Sequence, residues 1–230
     1  MKKLLTLTAA ALLASAPVSV FAKESVTKNA ALVTDYVWRG LSQTDNSPAI
    51  QGGIDYKNGN AYAGVWATNV DDTGSSEGLP FEMDVFFGYD NQFDGFNLNT
   101  SVTTYNYLHN APTISGADRT EFRVATNLKK VKGLELAINR EIKNGYWYLE
   151  GNFEKQLPHR LYLDASAGYW NVDNGDSALV ASVQIARDFP EFHHVDVFGS
   201  ISMLSDETFF FKDNNDESEM IFYLGVRKNF

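Results

Sequence analysis

From about residue 30 to the end of the chain, apolar and polar side chains alternate with a period of two, in run after run. Phe81, Met83, Val85, Phe87 and Tyr89 share one parity, and Glu82, Asp84, Phe86, Gly88 and Asp90 the other. Successive side chains of a strand point to opposite faces, so this segment reads as a strand with an apolar face backed by a mostly polar one. A helix of the same sequence would spread its acids around its whole circumference. The pattern recurs. Ile50, Ile54 and Tyr56 oppose Gln51 and Asp55, and Leu134, Leu136 and Ile138 oppose Glu135 and Asn139. Trp147, Leu149 and Phe153 oppose Glu150, Asn152 and Glu154, and Phe222, Leu224 and Val226 oppose Tyr223, Gly225 and Arg227. By the same rule Leu32, Tyr36 and Trp38 form the apolar face of an opening strand against Asp35 and Arg39, and Tyr62 and Trp66 share the apolar parity of a small-residue strand. The series amounts to about 12 strands, enough for a closed sheet.

The connections alternate between long and short. Residues 40–47, 71–78 and 109–118 are long and polar, whereas residues 57–60, Asp94-Gly95 and residues 129–133 are tight. An up-and-down barrel in an outer membrane has this asymmetry, with short turns on the periplasmic side and longer loops outside. A soluble sandwich also alternates, but three features favour the membrane. Tyr36, Trp38, Tyr56, Tyr62, Phe81, Tyr89, Phe96 and Tyr169 fall near strand ends, where aromatic rings favour bilayer interfaces. The polar parity carries acids, amides and small residues, as a wet interior would. The chain ends in Phe222, Leu224, Val226 and Phe230 on alternate positions. This end resembles the C-terminal strand that the barrel-assembly machinery reads in bacterial outer-membrane proteins, with Lys228 where a hydrophobe is common. Tyr105, Tyr107, Tyr148, Tyr162 and Trp170 fall on the inner parity, and would either narrow the lumen or mark strand ends.

Lys2 and Lys3, the apolar residues 4–13 and the small residues of Val20-Phe21-Ala22 have the layout of an export signal. The expected division is a signal peptide over residues 1–22, cleaved after Ala22, and one β-barrel over residues 23–230. The chain has no Cys, which excludes disulfides, thiolate metal sites and a Cys nucleophile. A net charge of −10 argues against nucleic acid as a partner.

Tyr36-Val37-Trp38-Arg39-Gly40-Leu41-Ser42-Gln43-Thr44, followed by Pro48-Ala49-Ile50-Gln51-Gly52-Gly53-Ile54-Asp55-Tyr56, resembles the opening hairpin of the TorF-family porins. Ala61-Tyr62-Ala63-Gly64-Val65-Trp66 and Glu82-Met83-Asp84, with Gly88-Tyr89, are similar to that family's next two strands. The older label of that family refers to Gly, Cys and Trp, so no Cys-dependent role carries over to this Cys-free chain. The resemblance implies an exported barrel with a pore and names no substrate.

The search for catalytic motifs is negative: no G-x-S-x-G, H-E-x-x-H or phosphate-binding glycine loop is present. His109, His159, His193 and His194 lie near connections and read as solvated loop residues. A hydrolase would have to join a loop His such as His109 to a loop Ser such as Ser115. The acidic connection through Asp206, Glu207 and residues 213–217 lacks the ligand order of a calcium loop. The residues of most interest are Asp35, Arg39, Glu82, Asp84, Glu121, Arg123, Glu150 and Asp164, all expected to project inward. They form either a charged constriction that filters ions or a salt-bridge network that plugs a narrow barrel. Ten acids against four bases on the inner parity give the lumen a cation preference. The sequence thus describes an all-β transmembrane antiparallel barrel in a bacterial outer membrane, a porin for passive passage of small solutes or ions, without catalytic residues, metal or cofactor. Its partners are outer-membrane lipid, the assembly machinery and small solutes or ions. A plugged structural or binding barrel, or an outer-membrane hydrolase, are the alternatives.

Overall fold

The computed structural model describes residues 24–71, 81–108, 118–143, 145–172, 177–206 and 219–230. The strands are β1 (Ser25–Val33), β2 (Val37–Trp38), β3 (Leu41–Ser42), β4 (Ala49–Asn58), β5 (Ala61–Asn69), β6 (Phe81–Gln92) and β7 (Phe96–Leu108). They continue with β8 (Arg119–Leu128), β9 (Leu134–Glu141), β10 (Tyr146–Leu157), β11 (Leu161–Val172), β12 (Ser177–Phe189), β13 (Val195–Leu204) and β14 (Glu219–Asn229). β1 and β4 to β14 close into a 12-strand antiparallel barrel. Closure is made by β1, which pairs with β4 on one side (Val33 opposite Ala49) and β14 on the other (Val33 opposite Gly225). A closed sheet has no edge, so every strand's backbone groups are satisfied by neighbours, as a hydrocarbon surrounding demands.

The period-two pattern becomes two surfaces. Ile50 is 69% exposed and Phe222 65%, whereas Asp84 on the inner parity is 2% exposed. The outward set includes Leu32, Ile54, Phe87, Phe122, Leu179 and Ile201. An apolar belt of this extent is the lipid-facing surface of a transmembrane barrel. Tyr56, Phe81, Tyr89, Phe96 and Tyr169 belong to it. Phe222, Leu224, Val226 and Phe230 point outward too, and the Phe230 N–H donates to the Lys28 carbonyl at 2.8 Å, which ties the last residue into the seam.

The short turns (Gly59-Asn60, residues 93–95, 129–133, 158–160 and 190–194) share one end of the barrel with the start of β1 and the end of β14. The opposite end holds the last residues of β1, β5, β7, β9, β11 and β13 and the first of β4, β6, β8, β10, β12 and β14. That end is not uniformly long, since two of its connections are turn-length.

The opening of the chain departs from the sequence reading. The first barrel strand ends at Val33, and Tyr36, Trp38 and Arg39 are not on it. Residues 34–48 instead turn into the lumen as the β2–β3 hairpin, which makes Tyr36 and Trp38 buried interior residues and not membrane-interface rings. The parity of β5 is also the reverse of that expected. Val65 faces outward, while Tyr62 is buried and donated to by Asn99 Nδ2 at 2.8 Å, and Trp66 packs on Tyr36 with ring centroids 5.4 Å apart. In a strand of small residues the aromatics go where space exists, and here that is inside. The export segment 1–22 with its cleavage point, loop residues 72–78, His109 and Ser115, and acidic residues Glu207 and 213–217 lie outside the described residues.

Candidate functional site

A barrel of 12 strands encloses more space than its own wall side chains fill, since about eight strands already suffice for a packed interior. The β2–β3 hairpin takes up that surplus. Its turn is Trp38-Arg39-Gly40-Leu41, with Arg39 at φ 48° and Gly40 at φ 90°. Positive φ at both central residues is the type I′ geometry that matches strand twist in a two-residue hairpin. Gly is at home there; Arg is not, and holding it left-handed costs about 1 kcal/mol. The base of the hairpin is tied by Asp35. Ser42 Oγ donates to Asp35 Oδ1 at 2.7 Å, Thr44 Oγ1 donates to the same oxygen at 2.8 Å, and the Tyr36 N–H donates to Thr44 Oγ1 at 3.0 Å.

The tip crosses the lumen. Arg39 Nη1 and Nη2 donate to Glu121 Oε1 and Oε2 on β8 at 2.7 and 2.9 Å, a bidentate pair with both side chains buried. Tyr146 and Tyr105 hydroxyls donate to the same carboxylate at 2.5 and 3.2 Å. The Arg39 guanidinium lies 4.1 Å from the Tyr148 ring centroid, 4.7 Å from Trp38 and 5.1 Å from Trp170. Trp170 is fully buried, and packs on Trp38 at 5.4 Å, Tyr146 at 4.8 Å and Tyr148 at 4.5 Å. Tyr148, whose register partner on β11 is Trp170, reaches this position by lying across Gly168, the partner of Glu150: a Cβ at Gly168 would sit 2.0 Å from the Tyr148 hydroxyl. On the other flank, a Cβ at Gly40 would sit 3.1 Å from Leu204 Cβ on β13. Of the inner-parity aromatics, Tyr105, Tyr148 and Trp170 therefore narrow the lumen.

The expected inward charges do not form one ring. Arg39 and Glu121 lock the hairpin tip, and Asp35 ties its base. Glu82 and Asp84 are sealed on the wall of β6 beside Tyr36 and Trp66, with Glu82 Oε2 and Asp84 Oδ1 lacking hydrogen-bond partners. Arg123 ion-pairs with Glu135 and, at 3.4 Å, with Glu150, whose Oε1 also accepts from Asn139 Nδ2 at 3.1 Å. Asp164 stands apart on β11, accepting from Gln184 Nε2 at 3.1 Å. On the short-turn side of the hairpin the lumen keeps a solvent-connected cavity, bordered by Arg39, Glu150, Glu154 and Asp164. Glu82 and Asp84 are not among its walls. Sequence reasoning missed Gln184, Ser166, Ser182, Ser200 and Ser202, which line this cavity. Their signal was present as small and amide residues on the inner parity of β11, β12 and β13. No cluster of three metal-ligating His, Asp or Glu side chains exists among the described residues.

A lipid-facing barrel with a polar lumen and an inward-folded hairpin defines the class: a transmembrane β-barrel with the fold of outer-membrane porins. The KdgM porin structure superposes with a TM-score of 0.60 at 8% identity, covering 89% of this chain and 99% of that one. A NanC porin structure does so at 0.54 and 9% identity, covering 88% and 98%. A second KdgM structure, in complex with disordered oligogalacturonate, gives 0.55 at 9% identity, covering 90% and 99%. The chain belongs to the family described as a bacterial protein of unknown function (Gcw_chp), whose profile matches residues 17–189. Comparison with curated proteins gives no match.

Proposed function

We propose that this protein is an outer-membrane channel for passive passage of small solutes and ions, with cations preferred, and that the β2–β3 hairpin occludes it at rest. The observation that carries this reading is the pairing of a polar, solvent-connected cavity with a hairpin held over it by one bidentate ion pair. A barrel meant only as a membrane anchor has no use for an interior cavity lined by acids, amides and hydroxyls. The porin fold, the opening residues similar to TorF-family porins and the terminal Phe230 strand support the same reading, including outer-membrane placement by the barrel-assembly machinery. The cation preference rests on Glu154 and Asp164, which border the cavity without a basic partner in an ion pair. Their field is focused by the low-dielectric wall.

A second reading, a barrel that stays plugged, is favoured by the hold on Arg39, whose two terminal nitrogens are both bonded and whose guanidinium lies against three rings. Planar-bilayer recordings of the purified protein separate the two. A channel gives discrete conductance steps and a cation-selective reversal potential in a KCl gradient. Electrical silence in wild type and in a hairpin-released variant alike would support the plug and refute the channel.

A further inference from the structure

Strand register lays two polar rows side by side on the cavity wall. One runs from Glu154 on β10 through Asp164 on β11 and Gln184 on β12 to Ser200 on β13, each directly opposite the next. The adjoining row runs through Asn152, Ser166, Ser182 and Ser202 in the same way. All of these residues line the cavity.

The first row is short of donors. The Glu154 side chain makes no ion pair or hydrogen bond among the described residues, and Asp164 accepts one bond, from Gln184. Gln184 is 4% exposed, and its remaining atom, Oε1, has no partner. Arg39 and Glu150, the other charges on the wall, are bonded to Glu121 and Arg123. Arg227, whose charge also reaches Glu154 and Asp164, is ion-paired through Nε with Asp196 at 3.4 Å; its Nη1 and Nη2 donate to neither acid of the row, and it is not a wall residue. Directly opposed residues hold their Cβ atoms about 5 Å apart, so two carboxylates and an amide oxygen are left as neighbouring acceptors.

An ammonium group answers this arrangement, because it offers three donors and no acceptor. A divalent metal answers it less well, since calcium takes six to eight oxygens and no three-carboxylate cluster exists among the described residues. The hydroxyls of the second row can each donate and accept, which suits the hydroxyls of a polyol. We propose that the double row is a binding subsite for a small hydroxylated primary amine, an amino sugar by chemical class. The ammonium sits among Glu154, Asp164 and Gln184 Oε1, and the sugar hydroxyls meet Ser166, Ser182 and Ser202. This deepens the channel reading and rests on it for access to the cavity.

The test is equilibrium titration of the detergent-folded protein with glucosamine, glucose, N-acetylglucosamine and glucuronate at neutral pH, read by calorimetry and by fluorescence of Trp38, which borders the cavity. Glucosamine is expected to bind saturably and at least about tenfold tighter than glucose or its own N-acetyl form. Glucuronate should not bind. Glu154→Gln with Asp164→Asn should abolish the preference for glucosamine while the protein remains heat-modifiable on detergent gels. Equal binding of glucosamine and N-acetylglucosamine overturns the proposal without any variant. So does no binding at all, unchanged preference in a folded double variant, or displacement of glucosamine by stoichiometric Ca²⁺. Saturable glucosamine binding by a protein that never conducts would sustain the subsite and refute the channel. Conductance without glucosamine binding would do the reverse.

Discussion

The two halves of the lumen are built from the same alternating wall, yet they differ in how far their charges are answered. In the hairpin-filled half, Glu121 takes four hydrogen bonds, two of them from Arg39, and the arginine is enclosed by aromatic rings. In the open half, Glu154 and Asp164 stand side by side with one amide between them and the next strand. A buried carboxylate with its full set of donors belongs to a rigid element, because removing any donor strands a charge. A carboxylate left short of donors, bordering water, is free to engage something that passes. In the proposed channel, the first half would close the lumen and the second would select.

The sharpest break in this comparison comes from charge reversal behind the hairpin. Glu82→Lys with Asp84→Lys would bury two ammonium groups beside Tyr36, where both native side chains are 2% exposed. The expected outcome is failure to form the compact species on unboiled gels; a folded variant with altered selectivity alone would put these acids on the ion path. Arg39→Ala should come next. It leaves Glu121 buried without its cation, and loosening of the hairpin by about 3 kcal/mol or more is expected. Limited proteolysis between residues 34 and 48 would report it, and Arg39→Lys should recover part of the loss, since a point charge cannot replace the planar fork. A cleavage pattern like that of wild type in Arg39→Ala would mean that the ion pair does not hold the tip.

Gly168→Val should act at the same place from the wall side. The added side chain collides with Tyr148, and a cost of about 1–3 kcal/mol is expected from overpacking. The readout is a lower temperature of heat modification with the barrel still formed, and an unchanged temperature would show that Tyr148 has room to move. Removing Phe230 should lower the amount assembled in cell envelopes more than the yield folded into detergent; equal levels in envelopes would show that this end is not read as a signal. The smallest effect is expected in the open half. Glu154→Gln with Asp164→Asn should move the reversal potential toward zero by a few millivolts, and less at high salt, where the Debye length falls below about 8 Å. A shift that salt leaves untouched would locate selectivity elsewhere.

The barrel itself was legible because its two faces obey one rule with a period of two, and Ile50, Phe87 and Phe222 show it without knowledge of their partners. The hairpin was not. Val37-Trp38-Arg39-Gly40-Leu41 satisfies alternation as well as any strand does, and only the left-handed Arg39-Gly40 pair converts it into a turn. Arg is an unexpected residue for that position, so turn chemistry gave no warning; what stabilises it is Glu121, 82 positions later. Tyr62 failed for a related reason: its facing residue is Gly88, and the space a missing side chain leaves across a strand pair is a tertiary fact. The inward charges were identified as a group, but their division into a lock, a sealed pair and an open pair depends on height along the barrel, which parity does not encode.

The most direct test of the closed lumen is single-channel conductance with and without the hairpin. Residues 35–45 would be replaced by a short Gly-Ser link, with Glu121→Gln to avoid a stranded carboxylate, and heat modification would verify the barrel. Occlusion by the hairpin predicts several-fold larger unit conductance than wild type, with fewer closures. Identical unit conductance in a folded, hairpin-less barrel would contradict it.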